Sequence, residues 1–316
     1  MTVYCWGRPR RFPALPAPQA RLFSVSPDSH VLARCFWQPL AHRRHALLCL
    51  HGLEGSSEAH YMRGMADKAW RRGWSIVLLN QRNCGDTEHL ATGLYHSGLT
   101  SDPLAVLREL VELDGLTSVS IAGYSLGGNL ALKLAGELGA DAPPALRTIC
   151  AVSPTIDLAR CVDALERRAN RLYEWNFVRS LKARLRRKAR LFPGQFDVSR
   201  LRAVRTVRAF DETYTAPNHG FRDAADYYHR ASALRVVRRI AVPTFVLTAA
   251  DDPFVPPAQF DEPDLRGNPL VAVRVTSHGG HCGFLSESPD GNEAYWAEDA
   301  VMSFVAGHVA ASSAAA

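Results

Sequence analysis

No stretch of this chain approaches the roughly 20 consecutive apolar residues that a membrane-spanning helix requires, so any membrane contact is expected to be peripheral. No C-x-x-C pair occurs either. The seven cysteines (Cys5, Cys35, Cys49, Cys84, Cys150, Cys161 and Cys282) are odd in number and scattered, which excludes a disulfide framework or zinc-ribbon reading and suits a reducing cytoplasm. The opening residues mix Pro9, Pro13, Pro16 and Pro18 with Arg8, Arg10 and Arg11. They lack the apolar centre of a secretory signal, and the expectation is a cytoplasmic protein. Internal repeats are absent too. Acidic residues are scarce over 156–210, with 5 against 15 basic ones, although the whole chain carries only +6.

What is present is a large apolar fraction, 47% of 316 residues, enough to bury a substantial core. Apolar runs bounded by turn residues recur at 30–37, 45–50, 74–80, 117–122, 147–152, 242–248 and 271–276. Helical patterns lie between them at 59–72, 103–113 and 126–137, with a last one at 292–309. From Leu47 onward this alternation predicts a mostly parallel sheet with helices on both faces. Two earlier strands, 21–26 and 31–37, flank Pro27-Asp28-Ser29 and read as an antiparallel hairpin. The alternation stops after Pro154 and resumes at Val242. In between, Trp175, Val178, Leu181 and Leu185 form an apolar stripe opposite the arginines, as in an amphipathic cap helix. The expected division is an irregular segment over 1–20, a core over 21–155 and 220–309, a basic helical cap insertion over 156–219 and a frayed tail over 310–316.

The junction Gly123-Tyr124-Ser125-Leu126-Gly127 joins an apolar strand to a helical run. A serine on so sharp a turn needs small neighbours, which Gly123 and Gly127 supply. Serine is a poor nucleophile unless a base takes its proton and an acid orients that base. On this architecture acid and base follow the serine in chain order. Acid candidates stand in Ala250-Asp251-Asp252-Pro253, just past the run ending at Thr248. Asp252 is preferred because Pro253 fixes the loop beyond it, and Asp251 is the alternative. The base candidates lie in His278-Gly279-Gly280-His281-Cys282-Gly283. His281, inside the glycine cluster, is the better placed; His278 belongs to the strand end. After the run 46–50 comes His51-Gly52-Leu53-Glu54-Gly55, a loop suited to aim an amide at an oxyanion. Its natural donors are the N–H groups of Leu53 and Leu126, each such donor being worth about 3 to 4 kcal/mol in the transition state. His51, Gly52 and Gly55 support that loop.

Together, His51-Gly52-Leu53-Glu54-Gly55-Ser56, Gln81-Arg82-Asn83-Cys84-Gly85, Tyr95-His96-Ser97-Gly98, Gly123-Tyr124-Ser125-Leu126-Gly127-Gly128-Asn129, Asp251-Asp252-Pro253-Phe254 and His278-Gly279-Gly280-His281 resemble the YheT-type α/β-hydrolases. These are the bacterial branch of a family that also includes eukaryotic abhydrolase-domain lipases and ester-forming acyltransferases. The resemblance runs from about Arg21 to Gly307. It implies an α/β-hydrolase fold, a triad of Ser125, Asp252 and His281, and small-molecule or lipid carboxylic esters as substrates, with no metal or organic cofactor. Ser29 and Asn83 stand where the family usually has glycine, which bears on local turns and not on the triad.

The resulting expectation is a serine hydrolase acting on short- or medium-chain or lipid esters. Acyl transfer to an alcohol, phospholipase or monoacylglycerol lipase activity, and a catalytically idle binding protein are the alternatives. Asp102 with Pro103 reads as a helix cap. His96 belongs either to loop structure or to the acyl-pocket entrance. Cys84 and Cys282 read as packed thiols. The basic cap is either a solvated face or a site of peripheral contact with anionic membrane. Nucleic acid is not an expected partner, because the cap's aromatics are sparse and fall at core positions.

Overall fold

A computed structural model of the chain describes residues 10–40, 45–286 and 295–314, with side chains as far as 309. Of the segment 1–20, residues 1–9 lie outside this description, and 10–18 carry neither helix nor strand. The first strands, β1 (Gln19–Ser26) and β2 (Ser29–Phe36), pair antiparallel. In β2, Val31, Ala33 and Cys35 are buried while His30 points outward, the period of two expected of a half-covered strand. At the turn, Asp28 Oδ1 accepts from the Ser26 hydroxyl at 3.2 Å and the Ser29 hydroxyl at 3.4 Å.

Strand and helix then alternate: β3 (Ala46–Leu50), α1 (His60–Trp70), β4 (Ser75–Leu79), α2 (Ser101–Glu112), β5 (Val119–Tyr124), α3 (Leu126–Leu138) and β6 (Leu146–Val152). A long excursion follows, whose main helices are α4 (Leu158–Leu165), α5 (Arg171–Leu191) and α6 (Ala224–Ala231). The sheet resumes with β7 (Thr244–Ala249) and β8 (Val271–Thr276), and α7 (Trp296–Ala314) runs into the expected tail. Strand order is β1-β2-β4-β3-β5-β6-β7-β8. Pairing is parallel from β4 to β8. Each expected strand is present with its ends displaced by no more than two residues.

Every residue of β3, β4, β5 and β7 is buried, because helices cover both faces of the sheet. On one face, Val106, Leu107 and Leu110 of α2 and Leu130 and Leu134 of α3 join the core. On the other, Met62 and Met65 of α1 pack with Val301, Met302 and Val305 of α7.

The cap helix α5 buries Val178, Leu181 and Leu185 as its spacing predicts, but Trp175 is 61% exposed. At 100° per residue, Trp175 lies about 120° around the helix from Leu181, off the inner face. Arg184 and Lys188, about 60° and 20° from Leu181, are buried with it, so the stripe is not free of cations. The cap's packing also extends past 219: Leu158 and Val162 of α4 meet Tyr227 and Tyr228 of α6.

Candidate active site

Strand β5 ends at Tyr124 and α3 begins at Leu126, leaving Ser125 alone on the turn with φ 53° and ψ −117°. A positive φ is costly for a residue with a β-carbon. It is held by its surroundings: the Ser125 N–H donates to the Val152 carbonyl at 2.8 Å on the adjacent strand. A β-carbon on Gly123 would collide with the Gly127 carbonyl, and one on Gly127 with the carbonyls of Leu50 and His51. The two glycines therefore let helix, elbow and neighbouring strand close on one another.

His281 Nε2 lies 2.9 Å from Ser125 Oγ, and His281 Nδ1 lies 2.9 Å from Asp252 Oδ2. Asp252 Oδ1 accepts the N–H groups of Phe254 at 2.9 Å and Val255 at 3.1 Å, so the loop after Pro253 grips the carboxylate from behind. Asp251 points elsewhere, accepting from Gly280 N–H at 2.8 Å and standing 3.5 Å from the exposed His278. Burial disfavours the imidazolium of His281, but the charge and hydrogen bond of Asp252 outweigh it and raise its pKa well above the ordinary histidine value. Gly280 turns the loop at φ 54°, and Cys282 is buried behind it.

The loop after β3 is fixed from below. His51 is buried and Nε2 accepts the Gln81 N–H at 3.1 Å, which leaves Nδ1 to donate to Gly52 O at 2.8 Å. Burial lowers its pKa to about 4, keeping the ring neutral. The Gly52 N–H donates to Tyr61 OH at 3.1 Å, and the Gly55 N–H closes back on Gly52 O at 3.0 Å. Among the described residues the Leu53 N–H has no acceptor. Leu126 opens α3, where the first N–H groups have none within the helix.

The sequence model of the α/β hydrolase fold matches residues 45–288. The chain belongs to the α/β hydrolase fold family. It is 36% identical to YheT of Escherichia coli (strain K12), a candidate esterase by name, over 78% of this chain and 72% of that protein. To the mouse (Mus musculus) phospholipase ABHD3 it is 30% identical over 78% of this chain, and the match spans 59% of that longer protein. Among solved structures, the Pyrococcus furiosus esterase Pf2001 superposes with a TM-score of 0.62 at 15% identity, covering 92% of this chain and 93% of the other, a likeness of fold.

In this hydrolase Ser125, Leu126 and His281 open into a cleft between sheet and cap. Its walls are chiefly apolar: Leu158, Val162 and Leu165 from α4, Leu181 and Leu185 from α5, and Phe254 beside His281. His96 also lines the cleft, its pKa lowered to about 3 by burial and the nearby His219. Asn83 takes a left-handed turn at φ 64°, and its amide donates to Gly93 O at 2.9 Å. Asn is one of the few residues with a β-carbon that does so readily.

Two features differ from the sequence reading. Asp102 does not cap α2; Thr100 occupies that position. The Asp102 carboxylate instead takes two 2.7 Å hydrogen bonds from Arg82, a partner 20 residues away that local capping rules do not see. Arg184, one of the cap's basic residues expected on a solvated or membrane-facing surface, is buried in the cleft wall and ion-paired with Glu54. Its place three residues after Leu181 was the available signal.

Proposed function

We propose that this hydrolase cleaves carboxylic esters through an acyl-enzyme at Ser125. The observation that carries the reading is the continuous hydrogen-bonded line from Ser125 Oγ through His281 to Asp252, opening into an apolar cleft. Ser125 Oγ attacks the acyl carbonyl carbon while its proton passes to His281 Nε2. The N–H groups of Leu53 and Leu126 receive the oxyanion. As the intermediate collapses, the ester C–O bond breaks and His281 returns the proton to the leaving alkoxide. Water, deprotonated by His281, then attacks the acyl-enzyme carbonyl carbon; the Ser125 Oγ–C bond breaks, His281 returns the proton to Oγ, and the acid leaves. Asp252 holds the imidazole in its orientation and stabilises its charged form.

The leucine and valine walls favour an aliphatic acyl chain over a polar one, since each buried methylene adds about 0.8 kcal/mol. The name of the mouse relative makes a phospholipid a reasonable member of the test panel. Initial rates on p-nitrophenyl esters of increasing chain length, beside water-soluble and lipid esters, test the proposal. It predicts turnover that rises from acetyl to medium-chain acyl groups and labelling of Ser125 by a fluorophosphonate. Undiminished turnover by Ser125→Ala would remove the proposed nucleophile.

A further inference from the structure

The inner face of α5 walls the cleft, but its outer face is built for something else. Taking Leu181 as the centre of the buried side, Trp175, Arg179, Lys182, Arg186 and Arg190 all fall between about 100° and 180° around the helix, together with Leu172. Leu172 is 80% exposed and Trp175 61%, with the Arg179 guanidinium 5.3 Å over the indole ring. The helix's only acid, Glu174, is on the buried side. Among the described residues no acid pairs with Lys182, Arg186, Arg190 or the nearby Arg205. Partial burial and the charges of Arg205 and Arg186 hold the Lys182 ammonium below its usual pKa, so these cations crowd one another. Two exposed apolar side chains at one end of a helix face and unpaired cations along the rest serve no packing purpose.

We propose that this outer face of α5 docks onto anionic lipid membrane. Charge complementarity favours that occupant: each cation near an anionic surface gains attraction, and an exposed tryptophan suits the headgroup boundary. A second copy of the chain is disfavoured, because a two-fold contact through this face would set the cations against their own images. Single-stranded nucleic acid is disfavoured as well, since Trp175 is the face's one stacking ring and Arg179 already covers it. The docking is independent of the chemistry at Ser125, and so is its test.

Binding of the full chain is measured to vesicles of phosphatidylcholine and to vesicles of phosphatidylcholine and phosphatidylglycerol in equal parts. Brominated lipids then report Trp175 insertion as the quenching lost in Trp175→Phe. The expected result is binding to the anionic vesicles, quenching of Trp175, and weakening on the order of a hundredfold in Lys182→Gln/Arg186→Gln/Arg190→Gln with the melting temperature unchanged. Inorganic phosphate at matched phosphate concentration should leave the Trp175 signal untouched. Equal affinity for neutral vesicles, equal binding by the triple variant, or a signal saturated by phosphate alone would overturn the proposal. So would tighter binding to polyuridylate than to the vesicles.

Discussion

Arg184 of the cap helix is ion-paired with Glu54 in the loop after β3, next to Leu53. The pair is enclosed: Tyr95 OH donates to Glu54 Oε1 at 3.1 Å while accepting the Glu54 N–H at 3.2 Å. The guanidinium lies 4.4 Å over the Tyr95 ring and reaches Cys84 Sγ at 3.1 Å. Glu54 holds φ at 57°, a strained value that this cluster maintains. The cap and the proposed oxyanion loop are thereby one mechanical unit.

Removing either charge leaves the other buried and unpaired. Arg184→Met or Glu54→Gln should each cost about 3 kcal/mol in urea unfolding, and the double variant should recover part of that loss. Because the loop carries the Leu53 amide, kcat should fall more than KM rises. A pure rise in KM would mean that the pair only shapes the cleft.

The Asp252–His281 contact sets a pH limb. The proposed base, His281, works only when neutral, and its pKa is raised, so kcat/KM should climb with pH through a midpoint above the ordinary histidine value of about 6.5. In Asp252→Asn the carboxylate's charge no longer offsets burial, so the midpoint should fall below that of the parent, while the rate falls by about 10⁴-fold. A pH–rate profile of both proteins checks the direction.

Asp211 sits in the cleft wall on a single π-turn, Asp211–Thr215, hydrogen-bonded by Tyr228 OH at 2.8 Å and Thr215 Oγ1 at 2.6 Å. Burial pushes its carboxyl up to about 6 despite those bonds. The folded state thus holds this proton more tightly than the unfolded one. Stability from this group is present at low pH and is lost as pH rises from about 4 through 6. Asp211→Asn should be more stable than the parent at pH 8 by roughly 1–2 kcal/mol and show no gain at pH 4. Thermal melts across that range measure it.

At the elbow, Gly123→Ala drives a methyl into the Gly127 carbonyl, which helix and strand hold in place. The expected cost is about 3 kcal/mol together with loss of fluorophosphonate labelling. Gly115→Ala is the control, since its φ of 66° is strained but nothing lies within 4 Å. That substitution should cost about 1–2 kcal/mol and leave labelling intact.

How much was legible follows from what each signal measures. The apolar run into Gly123-Tyr124 and the helical spacing after Leu126 marked the elbow from both sides, because strand and helix periods differ and the switch falls on Ser125. Choosing between Asp251 and Asp252 depended on Pro253; the structure joins Asp252 to His281 and leaves Asp251 on the Gly280 amide. Arg184 was misjudged because hydrophobic periodicity weighs a charged residue as solvent-facing, whereas its burial depends on Glu54, far away in sequence. Trp175 failed in the opposite direction, its apolar character outweighing a position off the inner face. For Arg184 the deciding quantity was a tertiary partner, and for Trp175 it was the angle around the helix.

Among the contacts that join the cap to the loop of the proposed acid, the Asn170 amide, just before α5, donates to the Pro253 carbonyl at 2.9 Å. The cap leaves the sheet after β6, the strand between those that lead to Ser125 and Asp252. It is therefore not a detachable module. Grafting a relative's cap onto this core to change chain-length preference would exchange the tether on the acid's loop and the partner of Glu54 along with the walls, so a transplanted cap needs Asn170 and Arg184 carried over before its specificity can be read.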